Sequence, residues 1–180
     1  NPESLNSYIN RGESKNKLKD YNGAIGDYTK AIELDPESWD SYINRGLIKN
    51  KLKDYNGAIN DFTKAIELNP EYADVYFRRG LIKNKLKDYY GAISDHTKAI
   101  ELSSEFVNGY YQRGLSKYYL KDYNGAISDF TKTIELDPEY IYGYYQRGLS
   151  KYYSEDYNGA ISDYTKAIEL DPEFRIAYNS

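Results

Sequence analysis

Apolar side chains recur at three- and four-residue steps through most of this chain, and the stretch Asp54–Pro70, DYNGAINDFTKAIELNP, shows the pattern most clearly. Tyr55, Ala58, Ile59, Phe62, Ala65, Ile66 and Leu68 fall on one broad stripe, which predicts an amphipathic helix. Asp61, Lys64 and Glu67 follow one another at i,i+3 spacing, and Asp27, Lys30 and Glu33 repeat the trio, so both are expected to form solvated ion ladders. Asn69-Pro70 closes the helix, because a residue before proline is pushed out of the helical region and proline cannot extend the turn.

Near-copies of this stretch begin at Asp20, Asp88, Asp122 and Asp156, a spacing of 34 residues each time. A fixed period of this length marks an array whose units bury their apolar faces by stacking on neighbours. Five whole units follow: 5-38, 39-72, 73-106, 107-140 and 141-174. Each carries two predicted helices. The first, such as Trp39–Leu52, leads into a tight turn at Lys53-Asp54, where Asp54 is placed to cap the second helix. Connections this short predict antiparallel hairpins. Residues 1–4 align with Asp35–Ser38 and are expected to be the closing turn of a preceding repeat; residues 175–180 align with Ile141–Gln146 and are expected to start a following one.

Composition then removes several kinds of function. A net charge of -4 and a pI near 5.2 argue against nucleic acid or an anionic membrane as the main partner. The lysines at 15, 17 and 19, repeated at 49, 51, 53 and 83, 85, 87, could suggest nucleic-acid binding. Cations at a helix end that offset the dipole are the simpler explanation. With no cysteine and one histidine, neither a thiolate metal site nor a site needing two imidazoles can be built, and no phosphate-cradling loop is present. No catalytic residue, metal or cofactor is therefore expected. No apolar run approaches membrane-spanning length.

Tyr42, Gly46, Leu52, Tyr55, Ala58, Phe62, Ala65 and Pro70, with their counterparts in all five units, closely resemble the tetratricopeptide repeat (TPR) family. The resemblance implies an all-α fold, a right-handed superhelical solenoid of antiparallel helix hairpins. It also implies a non-catalytic scaffold that binds a peptide segment of a partner protein in a concave groove, with a cytoplasmic location as the default. Some residues depart from the family pattern. Lys19, Lys53, Lys87 and Lys121 replace the glycine common at the turn, at up to about 1 kcal/mol each if the backbone is left-handed there. Gly23, Gly57, Gly91, Gly125 and Gly159 lie early in the second helix, where a better helix former is usual. Ser103-Ser104 stands where other units have Asp-Pro or Asn-Pro. His96 takes an aromatic position, Thr133 an alanine position and Ser154 a leucine position. His96 has two readings, a partly buried imidazole with one hydrogen bond or a pH-sensitive contact between helices.

The resemblance places the groove along one face of the first helices. Its candidates are Ile43, Asn44, Leu47 and Asn50, then Phe77, Arg78 and Leu81, then Tyr111, Gln112, Leu115 and Tyr118, then Tyr145, Gln146, Leu149 and Tyr152. Leucines and rings would supply apolar anchors, and the amides would hydrogen-bond a peptide backbone. The alternative for the tyrosines is packing against one another between units. A family subtype that clamps a C-terminal carboxylate is matched at Asn44 and Arg78 only, with Ile9, Glu13 and Asp74 at its other positions, so no such clamp is assigned. The rival function is structural self-assembly, a homo-oligomer stacked end to end through apolar faces around Ile161, Tyr164 and Ile168.

Overall fold

The computed structural model describes residues 2–172, and every regular element among them is an α-helix. The chain divides into two compact units, Asn1–Leu86 and Lys87–Ser180. The first holds α1 (Pro2–Lys17), α2 (Tyr21–Leu34), α3 (Trp39–Lys51), α4 (Tyr55–Leu68) and α5 (Ala73–Lys85). The second holds α6 (Tyr89–Leu102), α7 (Val107–Tyr119), α8 (Tyr123–Leu136), α9 (Ile141–Tyr153) and α10 (Tyr157–Leu170). The helix α1 opens at Pro2, so residues 2–4 are helical where the sequence led us to expect a turn. Proline is well suited to a first helical position, since its missing N–H has no partner there anyway. The expected start of a further repeat at 175–180 lies outside the described residues.

The turns inside the hairpins repeat almost atom for atom. Asp54 caps α4 by accepting the Gly57 N–H at 3.0 Å, and Asp20, Asp88, Asp122 and Asp156 do the same for Gly23, Gly91, Gly125 and Gly159. This explains the glycines that the helix propensities did not. A Cβ built on Gly57 would lie 2.1 Å from Asp54 Oδ2, so any larger residue displaces the cap. The residue before each capping aspartate is left-handed, with φ near 63° at Lys19, Lys53 and Lys121, 62° at Lys87 and 67° at Glu155. The closing turns are more variable. Asp35, Asn69 and Asp137 accept the N–H two residues on, and among the described residues Ser103 makes no such bond.

Within the hairpins, glycines on the first helix admit rings from the second. A Cβ on Gly46 would meet Phe62 at 2.9 Å, one on Gly114 would meet Phe130 at 2.7 Å, and one on Gly148 would meet Tyr164 at 2.8 Å. In the first unit, Ile43, Ala58, Phe62, Ala65, Val75 and Ile82 form one buried cluster, and Ala24, Tyr28 and Ile48 form another. In the second unit, Ile134, Tyr144 and Ala167 pack with Ile141 and Leu170. Thr133 is fully buried at its alanine position because its hydroxyl donates to the Asp129 carbonyl at 3.0 Å. His96 is fully buried, deeper than either of its sequence readings assumed.

Candidate functional site

The first helices α1, α3, α7 and α9 are each held in place by a charged triad, which corrects the reading of Asp27 and Asp61 as solvated. Asp61 is only 4% exposed. It accepts from Arg45 Nε and Nη2 at 3.0 and 2.7 Å, and Lys49 Nζ lies 2.8 Å away. Arg11, Lys15 and Asp27 repeat this arrangement, as do Arg113, Lys117 and Asp129, and Arg147, Lys151 and Asp163. A bidentate arginine satisfies a buried carboxylate in a way that surface charges cannot. The Arg11 hydrogen bond holds the Asp27 carboxyl below the usual carboxylate range; desolvation works against it and Lys15 adds to it. Lys64–Glu67 and Lys30–Glu33 remain as surface pairs. The same arginine also ties hairpins together, since Arg45 Nη1 donates to Thr29 Oγ1 on the preceding helix at 3.1 Å.

In the first unit the candidate residues separate by depth. Ile43 is buried at 7% exposure within the core, so it is withdrawn from the surface on which the sequence had put it. Leu47 lies half-buried against the same cluster; Asn44, Asn50, Phe77 and Leu81 are also half-buried. The Asn50 Oδ1 atom is enclosed and accepts no hydrogen bond. Arg78 is engaged by Asp74 one turn earlier on α5. At the thirteenth position of the repeat, Lys51 reaches the Asn16 Oδ1 at 3.1 Å and lies 5.6 Å from the Tyr21 ring centroid, and Lys85 lies over Tyr55 in the same way.

The second unit carries rings where the first carries cations. Tyr119 stacks on Tyr89 at 5.1 Å between centroids, and Tyr153 stacks on Tyr123 at 5.5 Å. Tyr118 sits among Tyr119, Tyr123 and Tyr153. Tyr111 packs on Phe130 and Tyr140, and Tyr145 packs on Tyr164. Burial pushes the Tyr111 and Tyr118 hydroxyls well above the ordinary tyrosine range; a hydrogen bond from Gln146 partly offsets this at Tyr111. Tyr152 is 52% exposed and meets Tyr153 and Tyr157 edge-on. Gln112, Leu115, Gln146 and Leu149 are half-buried along α7 and α9. The predicted leucines and amides are thus half-buried on their first helices, and Tyr111, Tyr118 and Tyr145 are used in ring-to-ring packing. Sequence reasoning passed over the exposed rings of Tyr72, Tyr90, Tyr142 and Tyr157. Tyr142 carries a legible signal, because it occupies the second position of a first helix.

Among the described residues, no group of three or more histidine, cysteine, aspartate or glutamate side chains is arranged to hold a metal ion. No described helix is long and apolar enough to cross a membrane.

Two-helix units repeating every 34 residues, with buried charged triads in four of them, define a helical-repeat scaffold. Tetratricopeptide repeat models match residues 6–38, 39–72, 73–106, 107–140 and 141–174, and the chain belongs to that family. Among solved structures, MamA is 26% identical over 90% of this chain and 95% of its own, with a TM-score of 0.87. YrrB, described as a TPR protein with an unusual peptide-binding site, is 26% identical over 93% of this chain and 86% of its own, with a TM-score of 0.84. A tetratricopeptide repeat protein from Parabacteroides merdae ATCC 43184 shares the fold at 18% identity and a TM-score of 0.88, covering 96% of this chain and 68% of its own. No curated protein matches the chain.

Proposed function

We propose that this chain is a non-catalytic scaffold that holds an extended peptide segment of a partner protein along the open faces of its first helices. The observation that carries this reading is that each unit has half-buried leucines on its first helices, Leu47 and Leu81 in one unit and Leu115 and Leu149 in the other, with the amides Asn44, Gln112 and Gln146 three residues before Leu47, Leu115 and Leu149. Among the described residues Asn44 and Gln112 take no part in the arginine triads that fix the fold, while Gln146 hydrogen-bonds the Tyr111 hydroxyl. Apolar anchors beside amides suit a peptide, whose backbone needs donors and acceptors at every residue while its side chains need pockets. Tyr152 adds an exposed ring of the type that contributes strongly at interfaces. The peptide-binding site of YrrB, a relative of the same fold, is consistent with this use of the scaffold.

Peptides selected from a random library on the intact chain test the proposal. Leu115→Glu and Tyr152→Ala are expected to abolish or greatly weaken their binding while leaving helix content unchanged. Glu169→Ala, on the second helix of its hairpin, is expected to leave it intact. Selected peptides that bind both groove variants as well as they bind the parent would refute the assignment.

A further inference from the structure

The thirteenth position of the repeat carries a lysine in the first unit and a tyrosine in the second, and the lysines show what those tyrosines lack. Lys51 Nζ and Lys85 Nζ each lie 5.6 Å from a ring centroid, of Tyr21 and of Tyr55. The negative face of an aromatic ring attracts a cation held over it. In the second unit Tyr119 and Tyr153 fill the slot, lying on Tyr89 and Tyr123 at 5.1 and 5.5 Å with interplanar angles of 17° and 16°. A near-parallel stack covers only one face of the added ring, and Tyr119 is still 58% exposed. That exposure does not depend on where the sequence begins or stops, because α7 packs against α6, α8 and α9.

The second unit brings no cation of its own to these rings. Among its described residues the contacts of a cation with a ring are those of Arg113 on Tyr110 and Arg147 on Tyr144. All four cations of α7 and α9, which are Arg113, Lys117, Arg147 and Lys151, are held by the buried Asp129 and Asp163. The formal charges differ in the same direction. Lys87–Ser180 has 10 lysines and arginines against 15 aspartates and glutamates, a net of -5, whereas Asn1–Leu86 has 14 against 13, a net of +1. Glu155, just after Tyr153, stands where the other four hairpin turns have lysine. Open ring faces in a unit with an excess of carboxylates favour a cationic partner and repel an acidic one.

We propose that the second unit selects basic peptide segments, with a lysine or arginine of the partner settling over the open face of Tyr119, as Lys51 and Lys85 lie over Tyr21 and Tyr55. The proposal rests on the peptide-scaffold reading above and names the chemistry of the peptide. A neutral proline-rich segment also suits tyrosine rings, but it leaves the charge difference between the units without a use.

Fluorescence anisotropy on the intact chain tests this, with circular dichroism confirming unchanged helix content in each variant. The probes are three labelled peptide pools of equal length, carrying lysine and arginine, glutamate, or proline at alternate positions and randomised elsewhere. The basic pool is expected to bind most tightly, about tenfold more tightly than the acidic pool. Tyr119→Phe keeps the ring and is expected to leave basic-pool binding unchanged. Tyr119→Leu keeps an apolar side chain of the same charge without the ring, and is expected to weaken binding by about two- to fivefold. Tyr119→Lys, which installs the first unit's solution, is expected to weaken it further. Basic-pool binding that Tyr119→Leu leaves intact overturns the proposal, as does equal or tighter binding of the proline or acidic pool. If Leu115→Ala still weakens binding in those cases, the peptide scaffold stands and only the basic partner falls; a chain that binds none of the pools refutes both.

Discussion

The two units solve the same packing problem with different chemistry at the thirteenth position of the repeat. In the first unit Lys51 and Lys85 lie over Tyr21 and Tyr55, and in the second Tyr119 and Tyr153 stack on Tyr89 and Tyr123. The ring that receives the contact is the same in all four cases, the first residue of the preceding second helix. A cation over an exposed ring contributes about 0.5–1 kcal/mol. An aromatic pair contributes about 0.5–1.5 kcal/mol beyond the area it buries, and that contribution is not screened by salt. The fold is thus indifferent to what fills this slot, and the surface is not. One unit shows cations and amides along its first helices, the other shows rings.

What the units share should matter more than what separates them. Asp61→Ala and Asp129→Ala each leave an arginine and a lysine without their buried carboxylate, and each is expected to cost about 3 kcal/mol in chemical denaturation. A loss confined to one unit would show that the triads are not the common frame. At the variable slot, Tyr153→Ala is expected to cost about 1–2 kcal/mol and Lys85→Ala under about 1 kcal/mol, with only the lysine effect shrinking in high salt. Equal, equally salt-sensitive losses would erase the distinction.

Titration sharpens the contrast from another side. Tyr111, Tyr118 and Tyr140 in the second unit, and Tyr28 in the first, have hydroxyls raised chiefly by burial. A raised folded-state value means that their stabilisation is complete below the unfolded value near 10 and is lost as pH climbs above it. Ultraviolet titration should therefore find a late-ionising set of tyrosines, and Tyr118→Phe should make the protein less sensitive to alkali. Asp27 has the opposite sign. Its depressed folded-state value gives stability that is present above about pH 4 and lost as pH falls through the lower, folded value, so Asp27→Asn should flatten the acid limb of a melting curve. The smallest effect is expected at the left-handed turns, where Lys53→Gly should stabilise by about 0.5 kcal/mol by calorimetry.

Most of the fold was legible because it is written in periodic, local signals. The stripe through Tyr55, Ala58, Phe62 and Ala65 and the capping Asp54 each predict one structural fact from a few adjacent residues, as does the strain at Lys53. The triads were not read, because Asp61, Lys64 and Glu67 form a regular row along one helix and the partner that buries Asp61 sits on another. A signal was present all the same: arginine precedes each such aspartate by 16 residues and lysine by 12, in all five units. Gly57 was misjudged for a similar reason, since helix propensity says nothing of the carboxylate folded against it. At the candidate site, periodicity put Leu115 and Gln112 together on one side of a first helix, where both are half-buried, but could not show that Ile43 sinks into the core, nor that Tyr111 and Tyr145 turn toward Phe130 and Tyr164.

Nuclear magnetic resonance of the side-chain amides is the most direct test of the peptide-binding role. On titration with a library-selected peptide, the amide signals of Asn44, Gln112 and Gln146 are expected to shift and saturate together, while that of Asn22, on a second helix, stays in place. Binding that left those three signals unmoved would contradict the account.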